Sequence, residues 1–154
     1  MALVSVGEIA KKMNLKELRT AVLIDLPEEF IDLKQLLESD CKIDSEFSDI
    51  TPDLAFAFTT KLKQIEDFAN EISKHIIGDQ AVWIAYPKGS SKRYKCEFNR
   101  DNGWVSIGKA GFEPVRQIAL NEDWSALRFR RVEYIKKMTR SFAMTEEGKK
   151  RTKK

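Results

Sequence analysis

Histidine and cysteine are scarce in this 154-residue chain: there is one histidine, His75, and two cysteines, Cys41 and Cys96. A single imidazole excludes most zinc enzymes and most nucleophile–histidine triads. Two cysteines make neither a disulfide framework nor, alone, a zinc site, and no metal site is expected. Neither thiol sits in a pattern that activates it, so both read as structural. Glycine (7) and proline (4) are few, and no Gly/Ser linker or internal repeat breaks the chain. No apolar run approaches the ~18 residues of a transmembrane helix. The longest, Ala81 to Tyr86, is strand-sized. Met1-Ala2-Leu3-Val4 lacks a basic n-region and a long h-region, so no signal peptide is expected and a cytoplasmic location is.

What is present suffices for one core. Apolar residues make up 42% and charged residues 33%, which a single domain of ordinary size accommodates. The net charge of +3 is unevenly spread. Residues 1–87 hold 9 Lys/Arg and 16 Asp/Glu, net −7; residues 88–154 hold 18 and 8, net +10. Such a split marks either a contact with nucleic acid or another anionic surface, or a solvated tail that aids solubility.

Hydrophobic patterning predicts alternating strands and helices. Continuous apolar runs over 20–26, 53–60 and 80–86 read as strands covered on both faces. A short strand is expected over 41–44. Pro27 suits a helix start, and Phe30, Leu33 and Leu37 give that helix one apolar face. Lys61 to Ile77 is the clearest helix, with Ile65, Phe68, Ala69 and Ile72 on one stripe and Gly78 as its stop. Shorter helices are expected over 7–13, 101–109 and 132–142. Residues 115–120 and 126–132, joined through Asn121-Glu122-Asp123, read as an antiparallel pair at one sheet edge. The expected fold is α/β: a three-layer sandwich with a mostly parallel, Rossmann-like sheet of five or six strands that ends in an antiparallel hairpin. Residues 1–142 form one domain in this reading, and 143–154 a basic, disordered tail.

Three stretches carry a resemblance: Trp83 to Ser91, Lys109 to Val115, and Trp124 to Arg131. Together they resemble a bacterial family known as domain of unknown function 3052, over roughly residues 8–132. That resemblance implies a fold and a bacterial origin, and no chemistry. The element order also resembles the sheet of methyltransferases that use S-adenosylmethionine. In that fold a glycine-rich turn after the first strand lets the backbone approach the cofactor. Here the corresponding turn is Asp25-Leu26-Pro27-Glu28-Glu29, without glycine. Asp44 is the one match to the acid that holds a ribose. The resemblance therefore implies a related framework without the standard cofactor site, and no cofactor is expected.

Candidate sites follow from position and charge. Lys88, Ser90, Ser91, Lys92 and Arg93 leave the end of the third long strand, where open α/β sheets hold ligands. They read as an anion-binding loop or as an ordinary solvated loop. Arg128, Arg130, Arg131, Lys136, Lys137 and Arg140 read as a nucleic-acid surface or as charges that protect an edge strand. Asp25, at the end of the first strand, is the candidate acid–base group, and is expected to share a crevice with Asp53 and Lys88. Trp83 and Trp104 are expected in the core, with Trp124 partly exposed. The leading expectation is a non-catalytic binding module for an anionic ligand or nucleic acid. The alternatives are an enzyme on the methyltransferase-like framework acting on an anionic small molecule, with Asp25 as acid–base and Lys88 as clamp, and an oligomeric interaction subunit.

Overall fold

The computed structural model describes residues 9, 11–13, 18–39, 41–48, 51–96, 98 and 103–135. Six strands form one sheet: β1 (Thr20–Ile24), β2 (Lys42–Asp44), β3 (Leu54–Phe58), β4 (Ala81–Pro87), β5 (Phe112–Ala119) and β6 (Trp124–Arg131). Their order is β2-β1-β3-β4-β6-β5. The first four pair in parallel, and β6 runs antiparallel to both β4 and β5. The chain leaves β1 toward β2 on one side and continues to β3 on the other. The switch point of the sheet therefore lies between β1 and β3.

Apolar alternation within the buried strands sorts residues to two faces. In β3, Leu54, Phe56 and Phe58 join the core under α1 (Ile31–Glu38), together with Ile9 and Met13. Ala55 and Ala57 face α2 (Leu62–His75), where their small size lets Ile65, Phe68 and Ile72 pack closely. Trp104 and Ile107, at the start and middle of α3 (Val105–Lys109), extend that second core over Phe129 of β6. The result is three layers. Among the described residues no helix is long and apolar enough to cross a membrane.

Helix boundaries follow local chemistry. Pro27, at φ −66°, leads into a 3₁₀ turn (Glu28–Phe30) that continues as α1. Gln64 caps α2: its Oε1 accepts from the backbone N–H of Thr60 (2.8 Å) and Lys61 (3.0 Å). The helix ends at His75, before Gly78, because Ile76 turns extended (ψ 100°) to bury its side chain. Gly111, at φ +92°, takes the left-handed conformation that lets α3 pass directly into β5.

Several expectations change. Of the helix expected over 101–109, residues 105–109 are helical, 103 and 104 are not, and 101 and 102 lie outside the described residues; β5 starts three residues early, at Phe112. The helix expected over 132–142 begins as one 3₁₀ turn (Val132–Tyr134), after which Ile135 is extended. Its remainder, with Lys136, Lys137, Arg140 and the tail 143–154, lies outside the described residues. Trp83 and Trp104 are buried as expected, but so is Trp124, at 2% exposure. The reason is that β6 is an inner strand, and Trp124 packs on Phe30, Phe58 and Tyr94.

Candidate functional site

At the carboxyl ends of β1, β2 and β3 lies a cavity of about 300 Å³. Asp25, the first residue after β1, sits at φ +56° and is the sole non-glycine residue with positive φ among those described. Aspartate tolerates this left-handed position better than most residues. Its Oδ2 accepts a hydrogen bond from Gln64 Nε2 at 3.2 Å. The residue that caps α2 thus also orients the carboxylate at the cavity wall.

The cavity has an apolar floor and an acidic rim. Ile24, Ala57, Phe47 and Phe68 line it, with the carboxylates of Asp25, Glu46, Asp67 and Glu71. Asp67 pairs with Lys63 at 2.9 Å, and Glu71 lies 3.3 Å from His75 Nε2. The His75 ring stacks on Phe47 (5.1 Å, 15°), holding the loop after β2 against α2. Asp25 and Glu46 have no ion pair among the described residues. Those residues also contain no group of three or more His, Cys, Asp or Glu side chains that could hold a metal ion. The negative charge is spread around the cavity and not focused on one point.

The candidate residues scatter. Asp53 is not in this crevice: it precedes β3 at the opposite end of the sheet, where its Oδ2 accepts from the N–H of Arg19 (2.9 Å). Of the loop after β4, Ser91 donates its hydroxyl to Asp123 Oδ1 (2.8 Å), and Arg93 lies 3.3 Å from Asp123 Oδ2. Arg93 also pairs with Glu29 at 3.1 Å, whose charge holds the guanidinium pKa above its ordinary value. Glu29 further accepts from Tyr94 Oη and from Asn121 Nδ2. Ser91 and Arg93 are thereby tied to the start of α1 and the β5–β6 turn, while Ser90 and Lys92 stay exposed and Lys88 half-buried.

The arginines of β6 divide. Arg130 makes a bidentate pair with Asp79 (2.9 and 2.6 Å), and Arg131 donates to the Ile76 carbonyl and lies over Phe112. Arg128 has no such partner among the described residues. Of the cavity residues, Asp25 alone was marked by sequence. Glu46, Gln64, Asp67 and Glu71 were missed because each reads as ordinary helix or loop surface. The i, i+4 spacing of Asp67 and Glu71, one turn into a helix that follows a strand, was the available signal.

The phenol of Tyr94 gives a pH prediction. Its hydrogen bond to Glu29, then burial and the Glu29 charge, raise its pKa above the ordinary value of 10.0. A raised pKa means the protonated form stabilises the fold; that contribution is full below the unfolded pKa and is lost as pH rises through the folded one. Urea unfolding should show wild type more stable than Tyr94→Phe from pH 7 to about 10, with the gap closing above it. A gap that persists unchanged to pH 12 contradicts the assignment.

Comparison with known proteins places the fold. No protein-family model and no curated protein matches this chain. Solved structures do. An S-adenosylmethionine-dependent methyltransferase from Aquifex aeolicus has 13% identity and a TM-score of 0.56, covering 84% of this chain and 91% of its own. The N-methyltransferase NodS from Bradyrhizobium japonicum WM9 has 9% identity and a TM-score of 0.53, covering 80% and 92%. A ribosomal protein L11 methylase from Lactobacillus delbrueckii subsp. bulgaricus has 11% identity and a TM-score of 0.51, covering 82% and 78%. The chain shares the Rossmann-like sheet of these structures.

The residues after β1 do not fit the cofactor that this fold implies. Asp25 puts a side chain at the left-handed position, Pro27 offers no N–H, and the 25–29 turn has no glycine to let a ligand approach its backbone.

Proposed function

We propose that this chain binds a small organic cation in the cavity at the switch point of its sheet. The observation that carries the reading is the cavity itself. It lies where open α/β sheets hold ligands, with an apolar floor and, on its rim, Asp25 and Glu46, which make no ion pair among the described residues. An ammonium or guanidinium group would balance those two carboxylates, and Phe47 and Phe68 would cover an attached hydrocarbon body. The resemblance to the domain of unknown function 3052 family is compatible with this reading and adds no chemistry to it.

Titration of the ¹⁵N-labelled chain with agmatine and with spermidine tests the proposal. Saturable shifts of the amides of residues 25, 46, 64 and 71 are expected. Asp25→Asn keeps the backbone tolerance and the acceptor for Gln64 but removes the charge. It should weaken binding at least about ten-fold, equivalent to ~1.4 kcal/mol. Its unfolding free energy should stay within about 0.5 kcal/mol of wild type. No shift at those residues, or equal affinity in Asp25→Asn, overturns the reading.

A second reading, an enzyme on the methyltransferase-like framework, is favoured by the fold likeness. The same titration with S-adenosylhomocysteine checks it, and saturable shifts at residues 25–29 would establish it in place of the first.

A further inference from the structure

A row of side chains crosses three strands on the sheet face opposite α2. Trp83 of β4 is the register partner of Arg128 of β6, and Arg128 is the register partner of Arg116 of β5. Register partners in antiparallel strands share a face, with Cβ atoms about 5 Å apart. All three side chains are hydrogen-bond donors and none can accept. Trp83 is 0% exposed, and its Nε1 has no hydrogen-bond partner among the described residues. The buried Nε of half-buried Arg128 has none either. Neither Arg116 nor Arg128 has an ion pair among the described residues, whereas Arg130 beside them is engaged by Asp79. Burial lowers the Arg128 pKa, and the neighbouring Arg130 and Arg116 charges add to that while Asp79 opposes it.

Two adjacent guanidinium groups with no ion-paired carboxylate among the described residues, one of them half-buried, are an unfavourable arrangement in isolation. A native fold satisfies buried donors with few exceptions. An anion from outside this part of the chain would balance the two adjacent charges at exposed Arg116 and half-buried Arg128, with fully buried Trp83 beneath them. We infer that the Arg116–Arg128 row, floored by Trp83, is a phosphate-binding site. Arginine's planar fork meets two phosphate oxygens at once, and a second guanidinium takes the third. Phosphate is offered both by a free phosphorylated molecule and by a nucleic-acid backbone. The row lies on a different face and different strands from the acidic cavity, so it stands or falls independently of the cation reading.

The test is an NMR titration of the full chain at constant ionic strength, following the arginine Nε–H signals. One arm uses inorganic phosphate and the other a twelve-residue oligothymidylate. A saturable shift of the Arg128 Nε–H is expected. Arg116→Gln, at an exposed position that leaves the core intact, should weaken it at least about ten-fold. Arg128→Lys keeps the charge but loses the fork and should also weaken it. Lys88→Gln, on the loop after β4, should leave it unchanged. Comparable affinity for both probes assigns a free phosphate group. Much tighter, salt-sensitive oligonucleotide binding assigns a nucleic-acid backbone. Either result supports the site. Absence of a saturable shift with both probes, or a shift that Arg116→Gln does not alter, overturns it.

Discussion

Replacing Trp124 with alanine is expected to cost about 3–5 kcal/mol of folding free energy, measured by urea unfolding. The side chain is 2% exposed and meets Phe30 and Phe58 edge-on, at 6.3 and 5.6 Å, and Tyr94 at 5.0 Å. It therefore joins four parts of the chain: the start of α1, the end of β3, the loop after β4, and β6. Truncation leaves a void that none of these can fill alone, since each is tied to the sheet. Typical domains hold only ~5–15 kcal/mol in total, so the variant should sit close to the unfolding threshold. Trp124→Phe should recover most of the loss by keeping the aromatic contacts. The sequence reading, with Trp124 partly exposed, implies a much smaller cost, about 0.5 kcal/mol or less. The two accounts differ several-fold, and one denaturation curve separates them.

That disagreement shows where sequence reasoning reaches and where it stops. The strands β1, β3 and β4 were legible because short continuous apolar runs rich in strand formers fit strands covered on both sides. The amphipathic stripe of α2 was legible for the same reason in a period of 3.6. The hairpin was legible too, but not which of its strands is inner. That choice is tertiary: β6 inserts between β4 and β5, and this alone buries Trp124 and sets Arg128 beside Trp83. The start of β5 was hidden because its register shifts between Pro114 and Arg116, which breaks the alternation a strand would show.

The candidate sites divide along the same line. Asp25 was recognisable because strand ends at a switch point hold ligands. Its partners come from a loop and a helix distant in sequence, so no spacing rule could assemble them. Asp53 was misplaced for a simpler reason. It opens the run 53–60, and in a sheet where β1 and β3 are parallel that puts it at the amino end, away from Asp25.

Replacing Asp123 with alanine is the second expected large effect, about 1–3 kcal/mol, because it strips a buried acceptor from the Ser91 hydroxyl. Asp123 is 8% exposed, and its two oxygens face Ser91 and Arg93. Its backbone bonds, to Lys88 N–H (2.7 Å) and Asn121 Oδ1 (2.8 Å), survive the substitution and keep the turn in place. What remains is a carboxylate-shaped gap between a hydroxyl and a guanidinium. Formate should therefore raise the melting temperature of Asp123→Ala in a saturable way and leave that of wild type unmoved. Asp123→Asn, whose amide fills the gap, should show no rescue. Ser91 and Arg93 carry the donors an anion needs, and in the folded chain the anion is Asp123. If formate rescues the variant, those donors form a competent anion cradle that the protein fills from within. An external anion would then have to displace a tethered carboxylate, which sets a high barrier to ligand binding at this loop. If formate has no effect, Asp123 acts by packing the turn, and Ser91 and Arg93 do not form a cradle at all.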